Sequence, residues 1–276
     1  MAFDDVLTML RAQRRALLAS DRGTRRGRDP EALHAMRTAV RRLRAILRAV
    51  RSSLDPEPAR LGRELRWLGR VLGGARDLDV LRAHLRAELA SLQGADATAL
   101  RRVLARLDAE RTRAQAAVRA TLASSRFARL RRSLDGALGA ATAGGDVAVG
   151  RIARRRFKKL RRAVEALGEA PTDRQVHAVR VGVKRARYAA ELARGAVGRR
   201  AKRFGREAGR LQDILGEYQD AAVAEARLRT LLRTVGADRA AARRLLARQQ
   251  HRRRMAWADF RDRWPKLERR GRKAWS

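Results

Sequence analysis

The stretch His34-Ala-Met-Arg37-Thr-Ala-Val-Arg41-Arg42-Leu-Arg44 occurs a second time, 143 residues later, as His177-Ala-Val-Arg180-Val-Gly-Val-Lys184-Arg185-Ala-Arg187. On a helix, residues three and four positions apart lie on the same side. Each copy therefore predicts a helix that carries a stripe of cations headed by a histidine. In the first copy the stripe consists of His34, Arg37, Arg41, Arg44, Arg48 and Arg51. In the second copy it consists of His177, Arg180, Lys184, Arg187 and Arg194, and Glu191 interrupts it.

A stripe of like charges weakens the helix that carries it. Each pair of like charges four residues apart costs about 0.2–0.5 kcal/mol. A polyanion lying along the stripe is the partner that would compensate this cost. We therefore interpret both stripes, together with the adjacent Arg42 and Arg185, as candidate sites for a chain of phosphates.

The offset of 143 residues extends over about sixty residues without a gap. It also aligns identical residues of several other types, which chance in an Arg- and Ala-rich chain does not explain. Examples are Glu64 and Glu207, Leu68 and Leu211, Gly73 and Gly216, Asp77 and Asp220, and Leu85 and Leu228. The duplication predicts two homologous helical bundles related by pseudo-twofold symmetry, formed by residues 1–143 and 144–276.

Towards the N-terminus, the same offset pairs Arg11 with Arg154 and Arg15 with Lys158. These four cations predict a second basic ridge beside each stripe. Solvated helix faces are the alternative interpretation, and the sequence favours neither.

Helical periodicity dominates the chain, and the alternation typical of β-strands is absent. Asp29-Pro30-Glu31 is a helix start signal, with Asp as the N-cap and Pro in the first turn. The apolar side of the helix that follows, to about Ser52, comprises Leu33, Met36, Val40, Leu43, Leu47 and Val50. Other helices are expected at about 3–20, 59–72, 76–92, 97–123, 125–139, 150–167, 199–216, 217–235 and 238–262, and around His177. We expect a loop at 21–29, a helix end or kink at Gly73-Gly74, a linker at 140–150, and a frayed basic tail from Trp264 onward.

The chain has 67 Lys and Arg against 29 Asp and Glu, a net charge of +38, and only six of the 67 are Lys. Self-repulsion at this charge favours a bound anion, such as nucleic acid, an anionic membrane surface or an inorganic polyanion. The planar guanidinium matches phosphate oxygens, so the preference for Arg suits phosphate recognition. A GC-rich genome is an alternative cause of the Arg to Lys ratio, but it does not explain the excess of positive charge.

The absence of cysteine excludes disulfides, thiol catalysis and thiolate metal sites. No apolar run approaches the roughly 20 residues that span a bilayer, and the N-terminus does not resemble a signal peptide. A cytoplasmic protein without membrane association is expected.

A metal site would combine the two histidines of the stripes with Glu31 or Asp173. Zinc needs three or four convergent ligands, and the surrounding arginines repel cations, so no metal is predicted. The remaining histidines, His84 and His251, are expected at the surface.

Catalytic machinery is not evident from the sequence. No phosphate-binding loop and no nucleophile motif is visible, so we predict neither a cofactor nor a catalytic residue. Asp77 and Asp220 are expected to pair with an arginine or to cap a helix. A phosphohydrolase is the third choice of function.

The motif His-x-x-Arg-x-x-x-[Arg/Lys]-Arg-x-Arg, present twice and each time followed by a helix that reaches Asp77 or Asp220, resembles the CHAD family (conserved histidine α-helical domain). The resemblance covers about residues 3–262. It implies an all-α fold of two antiparallel four-helix bundles about a pseudo-dyad, with a basic surface or central channel. It also implies binding of inorganic polyphosphate, association with polyphosphate granules, and no known need of a catalytic site.

Some CHAD proteins carry a fused triphosphate-tunnel domain marked by a Glu-x-Glu-x-Lys strand. This chain has no such strand, so it resembles a stand-alone member. The second half departs from the first at two basic positions, where Asp213 replaces Arg70 and Glu191 replaces Arg48.

The sequence thus predicts a protein that binds inorganic polyphosphate. Sequence-nonspecific binding of nucleic acid is the alternative, because neutralisation of phosphates alone drives it. Against that alternative, aromatic residues make up only 4% of the chain and none lies within the stripes to stack on bases. No helix-turn-helix or zinc-finger spacing occurs either. The sequence leaves the oligomeric state open.

Overall fold

The computed structural model describes residues 3–49, 57–139 and 149–275, and over these ranges the chain forms helices and no strand. The all-α prediction is confirmed. The helices are α1 Phe3–Ala19, α2 Asp21–Arg26, α3 Pro30–Ala49, α4 Glu57–Leu89, α5 Gly94–Ala123, α6 Ser125–Gly139, α7 Val149–Glu165, α8 Asp173–Leu192, α9 Arg194–Val197, α10 Arg199–Thr234 and α11 Arg239–Trp275. Val50, Arg51 and most of the expected linker at 140–150 lie outside the described residues.

The chain divides into two compact units. The first consists of Met1–Arg82 and Leu107–Val147, and the second of Ala83–Arg106 and Ala148–Ser276. The packing therefore groups residues 83–106 with the second unit, whereas the repeat predicted from the sequence places them in residues 1–143. The homology of the two halves and their pseudo-twofold relation stay predictions.

In the first unit, α3 begins as its sequence indicates. The Oδ1 atom of Asp29 accepts a hydrogen bond from the backbone N–H of Glu31 at 2.8 Å, which satisfies a donor that the helix itself leaves free. The predicted apolar side is buried at Leu33, Met36, Val40, Leu43 and Leu47, and α3 packs on α1. The basic stripe is consequently directed towards the surface.

In the second unit, a capping box starts α8. The Thr172 hydroxyl accepts from the N–H of Gln175, and the Gln175 side chain accepts from the N–H of Thr172 at 2.9 Å. The buried side of α8 includes Val176, Val179, Val183, Ala186 and Ala190, and it packs against α7 and α10. The opposite side carries His177, Arg180, Lys184 and Arg187. The prediction that one helix carries the whole second stripe is wrong at its end, because α8 ends at Leu192 and Arg194 begins α9.

Two predicted helix ends are wrong. Gly73-Gly74 lies inside the continuous α4, and the predicted helices at 199–216 and 217–235 are a single helix, α10. Glycine in a helix interior costs about 1 kcal/mol. The burial of Leu68, Leu72 and Ala75 on either side of the glycines offsets that cost. The expected loop at 21–29 also contains the short helix α2, whose C-cap is Gly27 with φ of 68°.

The C-terminal tail is helical, which corrects the expectation of a frayed end. Pro265 removes one backbone donor from α11, but the helix continues to Trp275. There the Trp275 ring contacts Phe204 edge to face, with 5.6 Å between ring centroids, and Phe204 contacts Phe157 in the same manner. Leu267 and Trp275 are buried, and this apolar anchor outweighs the missing hydrogen bond.

Three buried carboxylates fasten α11 within the second unit. Arg248 donates to Glu88 at 2.9 Å, and Arg253 donates to Glu225 at 2.6 Å. Glu207 is completely buried and accepts from Arg263 at 2.8 Å. A buried carboxylate requires such partners, since an unpaired one would be strongly destabilising. Several of the chain's acidic residues thus form ion pairs in the interior.

Candidate anion-binding site

The stripe of α3 lies where α3 passes over α4. His34 and Arg48 are exposed, and Arg37, Arg41 and Arg44 are half-buried. A Cβ atom placed on Gly73 would lie 3.7 Å from Nε of Arg37, and one placed on Gly69 would lie 3.7 Å from Nη1 of Arg44. The glycines of α4 thus leave room for guanidinium groups to lie close to the helix backbone.

A groove between α3 and α4, with a volume of about 240 Å³, contains the far end of this stripe. It is lined by Arg44, Leu47, Arg48, Ala59, Gly62, Arg63 and Arg66. Four of these side chains are arginines, and among the described residues no carboxylate lines the groove. Burial, followed by the charges of Arg48, Arg66 and Arg70, holds the pKa of Arg44 below its ordinary value. An anion in the groove would relieve this repulsion.

A second groove, of about 360 Å³, lies between α8 and α10. Each residue that lines the first groove has its counterpart 143 positions later in the lining of the second. The pairs are 44/187, 47/190, 48/191, 59/202, 62/205, 63/206 and 66/209. A Cβ atom placed on Gly209 would lie 3.6 Å from Nη1 of Arg187, so an arginine again lies close to a glycine of the neighbouring helix. We name the two the α3–α4 groove and the α8–α10 groove.

The two grooves differ in their charges. Arg194, Lys202, Arg206 and Arg210 contribute cations to the α8–α10 groove, which also contains the carboxylates of Glu191 and Asp213. Nε of Arg187 donates to Glu191 at 3.0 Å. The charged residues described in the lining of the α3–α4 groove are all arginines, so no such ion pair forms among them.

The two histidines head their stripes in different surroundings. Arg76 is directed back to the N-terminus of α3, where it donates to the carbonyl of Pro30 at 3.4 Å. Partial burial of the otherwise exposed His34 ring, and then Arg76, Arg41 and Arg37, lower the pKa of His34, while Glu31 opposes them. In the second unit Gln219 occupies the position equivalent to Arg76, and its Oε1 lies 2.9 Å from Nδ1 of His177.

The remaining predicted site residues lie at the surface or partly buried. Arg11, Arg15, Arg154, Lys158, Arg185 and Arg194 are exposed, and Arg42, Arg180, Lys184 and Arg187 are half-buried. Asp77 pairs with Arg37 at 3.3 Å, as expected. His251 is exposed as predicted, but the surface prediction for His84 is wrong, because it is half-buried with Nε2 at 2.8 Å from Oε1 of Gln249.

Sequence reasoning missed the side of each groove that comes from the neighbouring helix. Arg63 and Arg66 belong to α4, and Lys202, Arg206 and Arg210 belong to α10. The 143-residue offset already aligned Gly62 with Gly205 and Arg63 with Arg206, and this repeated Gly-Arg pair was the available signal. Within the described ranges, no three His, Asp or Glu side chains converge to hold a metal ion. No helix of the same ranges has the length and apolarity to cross a membrane.

Comparison with known proteins agrees with these observations. The family model described as "CHAD domain" matches residues 8–229. Two uncharacterized proteins of Mycobacterium tuberculosis, from strains CDC 1551 and H37Rv, are 34% identical to this chain over 212 residues. The match covers 72% of this chain but 40% of those proteins, so the chain spans less than half of their length.

Two solved structures are similar over nearly the whole chain. PptA from Streptomyces chartreusis has a TM-score of 0.77 and 26% identity, covering 95% of this chain and 98% of its own. The CHAD domain from the plant Ricinus communis has a TM-score of 0.77 and 24% identity, covering 96% of this chain and 90% of its own, and that likeness concerns the fold.

Proposed function

Because the chain belongs to the CHAD domain family, we propose that it binds inorganic polyphosphate in the α3–α4 and α8–α10 grooves and along the stripes that lead into them. The family is known in polyphosphate-associated proteins. The observation that carries the proposal is the α3–α4 groove itself, with four arginines and no carboxylate among its described lining residues. Its counterpart, built from the residues 143 positions later, supports the same function in the second unit.

The chemistry of the groove suits a linear chain of phosphates. Guanidinium groups form charge-assisted, often bidentate hydrogen bonds with phosphate oxygens. Leu47 and Ala59 are the apolar lining residues, and they offer no platform on which a nucleobase would stack. The groove would therefore recognise the phosphate groups of its ligand. Counterion release supplies much of the binding free energy, so the affinity should fall steeply with salt.

Binding without catalysis is part of this proposal. The residues that line the grooves are cations, small apolar side chains and two carboxylates, and they present no activated nucleophile. Association with polyphosphate granules in the cell would follow from the same affinity. Release of orthophosphate from polyphosphate in the presence of Mg²⁺ or Mn²⁺ would contradict this part and favour a phosphohydrolase.

A competition experiment tests the proposal against its main alternative. Long-chain polyphosphate should displace labelled duplex DNA from the protein at equal phosphate concentration. If DNA displaces polyphosphate instead, the protein is a nonspecific nucleic-acid-binding protein.

A pair of charge-matched variants tests the site. The groove variant replaces Arg44, Arg48, Arg63 and Arg66 by Gln, and the control variant replaces Arg239, Arg243, Arg254 and Arg261, four exposed arginines of α11, by Gln. Each lost phosphate contact should cost roughly fourfold in affinity at physiological salt. The groove variant should therefore bind polyphosphate far more weakly than the control variant. Equal losses would indicate diffuse attraction by net charge and would overturn the assignment of the groove.

A further inference from the structure

The outward face of α7 is a second strongly basic surface, and neither groove includes any of its residues. Every exposed residue of α7 except the terminal Glu165 is a cation. These residues, which we call the α7 face, are Arg151, Arg154, Arg155, Lys158, Lys159 and Arg162. Their spacing of three and four residues places them on one side of the helix. The opposite side buries Val149, Ala153, Phe157 and Leu160.

No acidic partner among the described residues neutralises the α7 face. Glu165, at the end of α7, pairs with Arg161 at 3.0 Å, and Arg161 is not a member of the face. Six adjacent like charges weaken a helix, as they do in the stripes. The helix is held in place from its other side, where Phe157 packs on Phe204 and Leu160 packs on Gly182. Within the described ranges, the six cations thus have no ion pair that would explain their presence.

The corresponding helix of the first unit does not have this surface. Under the 143-residue offset, α7 corresponds to α1, where Thr8, Ala12, Ala16 and Ala19 stand in place of Arg151, Arg155, Lys159 and Arg162. Only the predicted ridge residues Arg11 and Arg15 are shared as cations. A general bias of composition towards arginine would place similar numbers of cations on α1 and α7. The difference indicates a role that belongs to the second unit.

We propose that the α7 face is a polyphosphate-binding surface independent of the grooves, so that one chain holds two polyphosphate strands at once. This inference rests on the proposed function. The face spans eleven residue steps, or about 16 Å of helix, with neighbouring cations about 5–6 Å apart. Such a row suits an extended polyanion. It contains no exposed apolar side chain to enter a bilayer and no aromatic ring on which bases would stack.

Holding two strands makes the protein a cross-linker of polyphosphate. The α3–α4 groove, with its four arginines, would retain one strand. The α7 face would take up another, which compensates for the carboxylates that weaken the α8–α10 groove of the same unit. A protein of this kind gathers polyphosphate chains together, whereas a protein that binds one strand at a time only coats them.

A two-step capture experiment with the full chain tests the inference. The α7 variant replaces Arg154, Arg155, Lys158 and Lys159 by Gln, a residue with good helix propensity, and the control is the α11 variant with the same loss of charge. Protein is first bound to immobilised long-chain polyphosphate, and the retention of a second, fluorescent polyphosphate is then measured. Circular dichroism confirms that each variant keeps its helix content.

Wild type and the control variant should retain the fluorescent chain. The α7 variant should still bind the immobilised chain through the grooves but retain the second chain roughly 250-fold more weakly, from four lost contacts at roughly fourfold each. Undiminished retention of the second chain by the α7 variant would overturn the inference and leave the proposed function intact. Loss of the first binding step as well would show that the α7 face is not independent, which also overturns the inference. If wild type fails to bind the immobilised chain at all, the proposed function itself is wrong.

Discussion

Glu191 accepts a hydrogen bond from Arg187 at 3.0 Å in the α8–α10 groove. At the position equivalent to Glu191, the α3–α4 groove of the first unit carries Arg48. The second unit thus holds its central groove arginine with an internal carboxylate, and a phosphate must displace that carboxylate to engage Arg187 fully. Each unit has a groove of its own, and among the described lining residues a phosphate has to displace a carboxylate only in the α8–α10 groove.

Replacement of Glu191 by Gln should strengthen the binding of polyphosphate. A part-exposed ion pair of this kind is worth about 0.5 kcal/mol, so its removal should raise the affinity roughly twofold. Glu191→Arg, which copies Arg48 of the first unit, should raise it further by roughly fourfold through one more phosphate contact. Isothermal titration with short polyphosphate measures both effects.

The matched control is Glu268→Gln. Glu268 pairs with Arg272 at 2.6 Å and at the same spacing of four residues, but outside both grooves and outside the α7 face. This substitution removes the same charge. An equal gain in affinity from Glu268→Gln would mean that net charge, and not the release of Arg187, is responsible.

Polyphosphate affinity should increase as the pH falls through the range in which His34 titrates. In the free protein, burial and the neighbouring arginines lower the pKa of His34, so its neutral form persists below the ordinary value for histidine. The unfolded chain takes up a proton first, and the free protein therefore loses stability as the pH falls from the ordinary value to the lowered one. A bound polyanion offsets the arginines and favours the charged imidazole, so binding is coupled to proton uptake.

The measurement is the affinity for polyphosphate as a function of pH in wild type and His34→Gln. The variant should show a smaller rise in affinity on acidification. Identical pH profiles would rule out His34 as the coupled group.

Gly271→Ala should destabilise the protein. A Cβ atom on Gly271 would clash with the ring of Phe157, in a buried aromatic cluster that also involves Phe204 and Trp275. Overpacking of this kind costs about 1–3 kcal/mol, more than the roughly 1 kcal/mol that alanine gains over glycine in a helix. Urea unfolding followed by circular dichroism gives the free energy of unfolding. Gly216→Ala in α10, where no atom lies within 4 Å, should instead be neutral or stabilising.

Glu207→Gln should also lower the free energy of unfolding. The carboxylate is fully buried and serves Arg263 at 2.8 Å and Arg270 at 3.3 Å. The arginines are partly exposed and regain water, so the loss should be about 1–3 kcal/mol, below the range for a fully buried pair. Glu268→Gln, which breaks the exposed pair with Arg272, should change stability by less than about 0.5 kcal/mol. A similar loss in both variants would show that burial of Glu207 does not govern its contribution.

The sequence was sufficient for the fold class and for the side of each groove that α3 and α8 supply. Periodicity identified the buried face of α3 from Leu33 to Leu47, and the 143-residue offset identified both stripes. The sequence was not sufficient to predict the sides of the grooves that α4 and α10 supply, because the exposure of Arg63 or Arg206 depends on how two helices pack. The same limitation explains the errors at Gly73 and Trp275. Local propensity disfavours helix at a glycine pair and after a proline, and only tertiary burial, which a single sequence does not display, reverses it.

The bare arginine cluster of the α3–α4 groove has a practical consequence for anyone who handles this protein. Such a cluster will take up whatever multivalent anion the solution supplies, so sulfate or phosphate buffers will compete with the ligand under study and lower its apparent affinity. Measurements in chloride buffers and in phosphate buffers should therefore disagree, and the difference itself reports how strongly the groove attracts a single phosphate.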